Sequence, residues 1–229
     1  MPSSLQIKDL QLFRQNEQLL SINEHIAGGD ILTVMGPSGS GKSSLLNWLT
    51  GTLANDFTAT GTVWLNDKNV THLPAHLRRI GVLYQDALLF SHLSVAGNIA
   101  FAMPKGNKKQ RVEKIAQSLA QVGLEGMGDR HPDNLSGGQQ ARVALLRTLL
   151  SEPKAILLDE PFSKLDTQLR MDTRQLVFEQ IRTHKLPAIM VTHDQSDAEA
   201  ANGKVIYVGQ WFWTSESNIN AKYPTKVSK

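Results

Sequence analysis

The sequence predicts an α/β fold with a mainly parallel sheet at its centre, an N-terminal antiparallel β-sheet, and an inserted α-helical subdomain. Three observations carry this. Four short apolar runs, Ile31–Met35, Ile80–Tyr84, Ala155–Leu158 and Ala188–Val191, each break off into polar or glycine-rich residues. Strands buried on both faces of a parallel sheet read this way. Residues 5–27 and 61–65 alternate apolar and polar side chains, which is the period of a half-buried antiparallel sheet. Between Gln85 and Leu135 the spacing turns helical and is interrupted by Gly97, Pro104, Gly106, Gly123, Gly126, Gly128 and Pro132.

Composition bounds what these elements can build. At 229 residues and 41% hydrophobic content the chain can bury one large core, or a core plus a small subdomain. Its 24 basic and 21 acidic residues leave a net charge of +3, a small imbalance that makes no demand for nucleic acid. There is no cysteine, which excludes disulfides, thiol catalysis and Cys-ligated zinc and suits a reducing compartment. The start, MPSSLQIKDL, lacks a charged-then-apolar signal pattern, and no stretch approaches the roughly 18 apolar residues of a membrane span. The chain reads as soluble, with any membrane role reached through partners.

Taken in order, the elements gather chemistry at their ends. Ile31–Met35 runs into Gly36, Pro37, Ser38, Gly39, Ser40, Gly41, Lys42 and Ser43, and Ser44 opens a helical run. Glycines let backbone N–H groups approach phosphates, the lysine reaches the β and γ oxygens, and the serine can ligate Mg²⁺. With a strand before and a helix after, the core is predicted to be that of a P-loop NTPase. Ile80–Tyr84 ends at Gln85, and Val112, Ile115, Ala116, Leu119 and Val122 then follow amphipathic helical spacing. Leu135 to Gln139 reads L-S-G-G-Q. Ser136 stands where an N-cap should, Gly137 and Gly138 leave the backbone open, and a helical run follows. An uncovered helix start of this kind favours anions.

Ala155–Leu158 gives way to Asp159, Glu160 and Pro161. Neighbouring strand residues face opposite ways, so both carboxylates can serve one site only if the strand ends here. Thr167 to His184 reads as a helix with Leu169, Leu176 and Ile181 inward. Ala188–Val191 leads into Thr192 and His193. A last strand is expected at Val205–Val208, with Trp211, Phe212 and Trp213 covering the edge and a polar tail from Ser215 that frays. Ligands of parallel sheets collect beyond the carboxyl ends of the strands, which sets all four polar breaks on one edge.

A phosphate loop followed by L-S-G-G-Q resembles the ATP-binding subunits of ABC transporters, and most resembles short stand-alone bacterial importer-type subunits. The resemblance runs from Phe13 through His193. It implies ATP bound by residues 36–44, with Mg²⁺ held by Ser43, Asp159 and Gln85, and hydrolysis with Glu160 as general base and His193 near the γ-phosphate. Gln85 would also begin the loop that joins the core to the helical part. Asp166, in S-K-L-D, matches a loop at a dimer seam. Phe13, 23 residues before Gly36, stands where the family stacks an aromatic on adenine. Many members have Tyr there, so the π face is kept and a hydroxyl lost. Ser136, Gly137, Gly138 and Gln139 would grip the ATP of a second subunit.

The resemblance further implies one domain over residues 1–214, with a catalytic core of 1–85 and 152–214, a helical signature subdomain of 86–151, and a flexible tail of 215–229. Partners would be a second copy in an ATP-bound head-to-tail homodimer, and integral membrane permease subunits. A periplasmic substrate-binding protein would mark an importer, and no nucleic acid is expected. The location would be cytoplasmic, peripheral on the inner face of the membrane.

Ala87, Leu88, Leu89, Phe90, Leu93 and Val95 form an apolar stretch that is either the helical part's own core or a groove for a permease helix. Only 36 residues follow His193, so the regulatory domain of sugar-importer subunits is not expected, and Asp194 to Lys204 is short for the usual helix and turn. The alternative is an ABC-type ATPase acting on nucleic acid, ribosome or protein. Such relatives carry long coiled-coil insertions, tandem cassettes or cysteine-bound zinc, and none of these is in the sequence.

Overall fold

The structure is a computed structural model and describes residues 3–209. Strands β1 (Ser4–Arg14) and β2 (Glu17–Ala27) form an antiparallel hairpin. Its two turn residues, Gln15 and Asn16, have φ of 48° and 71°, the left-handed twist that a two-residue hairpin turn requires. Next come β3 (Ile31–Met35), α1 (Lys42–Thr50), β4 (Phe57–Leu65) and β5 (Lys68–Asn69). The alternation predicts an antiparallel sheet, and the structure orders it β2-β1-β4-β5. A short α2 (Ala75–Arg78) has no counterpart in the sequence reading. Its Arg78 donates to the carbonyls of Trp48 at 2.8 Å and Leu49 at 2.9 Å, closing the open C-terminal end of α1.

The helical part follows β6 (Ile80–Leu83) and comprises α3 (Val95–Ala102), α4 (Lys108–Gln121) and α5 (Gly137–Leu149). Val95, Ile99, Ile115, Leu119, Val143 and Leu146 are among the buried residues of its own small core. One expectation fails here: Val112 and Ala116 are exposed, and the inward face of α4 is Ile115, Ser118, Leu119 and, just past its end, Val122. The helix packs through its second half only, so the apolar stripe at its start meets no partner.

The chain then returns through β7 (Ala155–Asp159), α6 (Thr167–Thr183), β8 (Ala188–Thr192), α7 (Gln195–Ala201) and β9 (Val205–Tyr207). On α6 the buried face is Thr173, Val177, Phe178 and Ile181, with Leu169 and Leu176 half-buried. The second sheet is β6-β7-β8-β3-β9, with every pair parallel. Met35 pairs with Thr192, and Asp159 with Val191, so the strand ends line up on one edge.

Alternation sorts the two faces. Leu32, Val34, Leu157, Ile189 and Val191 face α1 and the antiparallel sheet, while Ile156, Leu158, Ala188 and Met190 face α6. Strands β3 and β8 are buried throughout, whereas β6 is an edge strand on which only Leu83 is fully buried. The α/β architecture with parallel and antiparallel sheets is as expected. The segment after His193 does make a helix and a strand, α7 and β9. The roles expected of Trp211, Phe212, Trp213 and the tail from Ser215 lie outside the described residues.

Candidate functional site

The loop after β3 is shaped by what it must avoid. A Cβ on Gly36 would sit 2.3 Å from the Val208 carbonyl oxygen, so only glycine lets the chain just past β9 run this close. The loop ends at Gly41, with φ of 89°, the N-cap of α1, and no side chain caps that helix start. Its first-turn N–H groups therefore lack a side-chain acceptor and face the loop. Lys42, itself 7% exposed, curls back so that its Nζ donates to the carbonyls of Gly36 at 2.7 Å and Pro37 at 2.8 Å. Burial lowers the Lys42 pKa, against the pull of Glu160 and then Asp159.

Asp159 closes β7. Burial pushes its carboxyl above the usual range, Glu160 adds to that, and Lys42 opposes it. Two carboxylates thus stand against one ammonium, with the Ser43 hydroxyl on the first turn of α1. That donor set fits a hard divalent cation, which takes oxygen ligands and keeps much of its shell for phosphate oxygens and water.

Glu160 resolves the strand-parity problem posed by the sequence. Its φ is 45°, a left-handed conformation that costs a non-glycine residue on the order of 1 kcal/mol. The chain bends there, and the Glu160 N–H donates to the Val191 carbonyl at 3.0 Å. Its carboxylate then reaches the phosphate-loop side, where Oε1 lies 3.1 Å from Nδ1 of His193. Strained backbone of this kind concentrates at functional sites.

A cavity of about 260 Å³ lies over the loop, lined by Ser38, Gly39, Gly41, Lys42, Ser43, Ser44 and Glu160. Arg14, Leu19 and Phe57 complete its wall, and no motif in the sequence points to them. Arg14 and Phe57 are cross-strand partners of β1 and β4, and the guanidinium lies 5.4 Å from the ring centroid. Phe13 is half-buried opposite Thr58 and is not among the lining residues.

The remaining predicted residues stand elsewhere. Gln85 lines a separate cleft of about 130 Å³ together with Gly137, Gln140, Pro161 and Lys164, and Lys164 bonds Asp86 across it. Asp166 is exposed and N-caps α6, accepting from the Leu169 N–H at 3.1 Å. Ser136 N-caps α5 in a capping box: its Oγ accepts from the Gln139 N–H at 3.3 Å, and Gln139 Oε1 accepts from the Ser136 N–H at 3.0 Å. Gly138 is required by packing, since a Cβ would fall 2.4 Å from Leu169 Cδ1. Within one chain the L-S-G-G-Q residues line no part of the phosphate-loop cavity. No helix among the described residues is long and apolar enough to cross a membrane.

Residues 19–163 match the family model described as ABC transporter. The chain is 46% identical over 209 residues to the uncharacterized ABC transporter ATP-binding protein YnjD of Escherichia coli (strain K12), covering 90% of this chain and 95% of that protein. It is 39% identical to the sulfate/thiosulfate import ATP-binding protein CysA of Halalkalibacterium halodurans over 86% of this chain. To the Fe(3+) ions import ATP-binding protein FbpC 1 of Rhizobium meliloti it is 37% identical over 89% of this chain. It spans 56% and 57% of those two longer relatives.

Proposed function

This chain belongs to the ABC transporter family, and on that premise we propose that it energises an importer as a dimer that closes on ATP and opens after hydrolysis. It is an ATP-binding protein of the importer type, and family membership carries ATPase activity coupled to transport. The observation that carries the mechanism is the join between Glu160, bent out of β7 by its left-handed turn, and His193 at the end of β8, beside the Lys42 loop.

In this reading the N–H groups of residues 38–44 cradle the β and γ phosphates, and Lys42 leaves its carbonyl partners to bind them. Glu160 accepts the proton of the attacking water. The His193 ring meets Glu160 through Nδ1 at 3.1 Å and holds its carboxylate in place. Ser43 and Asp159 would hold Mg²⁺, which when bound neutralises charge developing on the phosphate oxygens, and Gln85 would join them only by moving from its separate cleft. The wall formed by Arg14 and Phe57 receives the nucleoside end, with Phe13 one residue away. Because Ser136 and Gly137 line no part of this cavity, their helix start is assigned to the ATP of a second subunit in a two-fold, head-to-tail pair. Asp166 lies at that seam.

The permease is proposed to dock on the helical part, with the protein peripheral on the cytoplasmic face of the membrane. Leu89 packs inward between two cores, whereas Leu88 is 59% and Phe101 70% exposed. The ring of Phe90 meets Phe101 edge-on at 4.9 Å. Asn98 pins this loop, accepting from the Phe90 N–H at 2.8 Å and donating to its carbonyl at 3.1 Å. An exposed apolar patch on a rigid support suits an amphipathic helix from the membrane subunit. Cargo would be selected by those subunits. Leu88→Asp and Phe101→Asp should each release the protein from membranes in co-sedimentation while its ATPase persists. Folded variants that stay bound would move the docking site elsewhere.

The central test is Glu160→Gln. It removes the base and leaves every phosphate contact, so turnover should fall by about 10²–10⁴-fold while ATP binding persists and an ATP-bound dimer accumulates on size exclusion. Near-normal turnover would refute the role of Glu160.

A further inference from the structure

A circuit of hydrogen bonds and short stretches of chain runs around the Glu160–His193 pair, and it includes an arginine with no role so far. From Glu160 the circuit passes to Ser163, whose N–H and hydroxyl both donate to the Glu160 carbonyl, at 3.2 Å and 2.9 Å. Three residues on, Asp166 caps α6, and its carbonyl accepts from the Arg170 N–H at 2.8 Å, one helical turn later. The Arg170 guanidinium then leaves the helix. It grips Asp197 of α7 through Nε at 3.1 Å and Nη2 at 2.5 Å, and Nη2 also lies 2.8 Å from Asp194 Oδ2.

Asp194 is the residue after His193, and both sides of that histidine are tied. Before it, Thr192 is buried at the end of β8, and its Oγ1 accepts from the Asp194 N–H at 3.0 Å. After it, Asp194 caps α7 by accepting from the Ser196 N–H at 2.7 Å. His193 Nδ1 closes the circuit on Glu160.

The arrangement exceeds what packing two helices requires. Asp197 is 2% exposed and is also held by Arg174, at 3.2 Å. Arg174 reaches the Ser196 carbonyl and hydroxyl as well, but its contacts do not include Asp194. Two arginines therefore neutralise the same buried carboxylate, and only Arg170 extends to the residue beside His193. A bidentate guanidinium fixes orientation as well as charge. The turn of helix between Asp166 and Arg170 is rigid, so a displacement of the S-K-L-D segment is carried to Asp194.

We infer that Arg170 is a positioning residue for hydrolysis: through Asp194 it sets His193, and through His193 the Glu160 carboxylate. This rests on the ATPase reading above. It gives the loop at Asp166 a mechanical route to the base that bypasses the phosphate loop, so that closure of the seam and poise of the base are one event.

Steady-state ATP hydrolysis by the full-length protein tests this with four variants. Arg170→Met should lower kcat by about tenfold to hundredfold, the scale of a small misplacement at the reacting centre, with KM for ATP within about twofold of wild type. Arg170→Lys should restore part of the rate. Asp194→Asn keeps an N-cap of equal quality, so it should fold normally and still lower kcat several-fold. Arg174→Met removes the other arginine from Asp197 and should leave kcat close to wild type. An equal loss in Arg174→Met, or a raised KM with kcat intact in Arg170→Met, overturns the assignment and makes Arg170 a structural ion pair. If Arg170→Met does not fold, Asp194→Asn decides, and an unchanged kcat there overturns it too. Absence of ATPase in wild type would instead sink the ATPase reading, and this inference with it.

Discussion

Two helices of this protein begin on glycine-rich turns, and they reach opposite solutions. At α1 the N-cap is Gly41, which offers no side chain, and the first N–H groups stand beside Lys42, Asp159 and Glu160. At α5 the N-cap is Ser136, and with Gln139 it satisfies two of the helix's own donors. The first start is left open and surrounded by titratable groups. The second is already self-capped and exposed. Glycine also has different work in each: Gly41 supplies a left-handed φ, and Gly138 supplies room for Leu169. The contrast teaches that an anion-favouring helix start becomes a reaction site only when strand ends bring acid and base to it. Without them it remains a surface that grips.

Three changes test this contrast. The largest effect is expected from Ser136→Arg, which puts a bulky cation where a second subunit's phosphate should dock. Turnover should fall by roughly a hundredfold or more, the scale of losing preorganised contacts to a transition state, while nucleotide affinity of the monomer stays near wild type. Mixed with Lys42→Ala protein it should regain part of its activity, because heterodimers then hold one intact site. Unimpaired turnover by Ser136→Arg alone would end the assignment of this helix to a second subunit's ATP.

Lys42→Ala comes next. Losing a charged donor should weaken ATP binding by about tenfold to hundredfold, read by titration with a fluorescent nucleotide. Equal affinity in the two proteins would show that the open start of α1 is not the phosphate site.

Gly138→Ala should have the smallest effect on nucleotide binding and act first on stability. Its Cβ must displace the Leu169 side chain, at a cost of about 1–3 kcal/mol, seen as a lower Tm with binding at α1 unchanged. A Tm equal to wild type would mean that the α5–α6 contact is looser than the geometry implies.

The residues of the candidate site divide by the range of the interactions that bring them together. The phosphate loop and the cap at Ser136 are local, set within a few residues by backbone geometry and capping chemistry, and such signals survive in a bare sequence. The wall residues Arg14 and Phe57 left no mark, because their neighbourhood depends on the pairing of β1 with β4. Val112 and Ala116 follow the helical spacing of α4 and are nonetheless exposed for the same kind of reason: periodicity names a stripe but not how far along it a partner extends. Among the residues after Gln85, hydrophobicity marked Leu88 and Leu89 alike, yet one is exposed and the other packed between two cores.

By itself the sequence determined the α/β class, the existence of most of the strands and of the longer helices, and the order of the phosphate loop, L-S-G-G-Q, Asp159-Glu160 and His193 along the chain. These follow from side-chain period and local turn chemistry, which act over short separations. Tertiary structure alone decided that β3 lies between β8 and β9, that Glu160 bends back onto His193 33 residues away, and that Arg170 reaches Asp197 across 27. Those contacts join residues whose spacing carries no period, and they exist only once loop-closure entropy has been overcome by burial of the sheet.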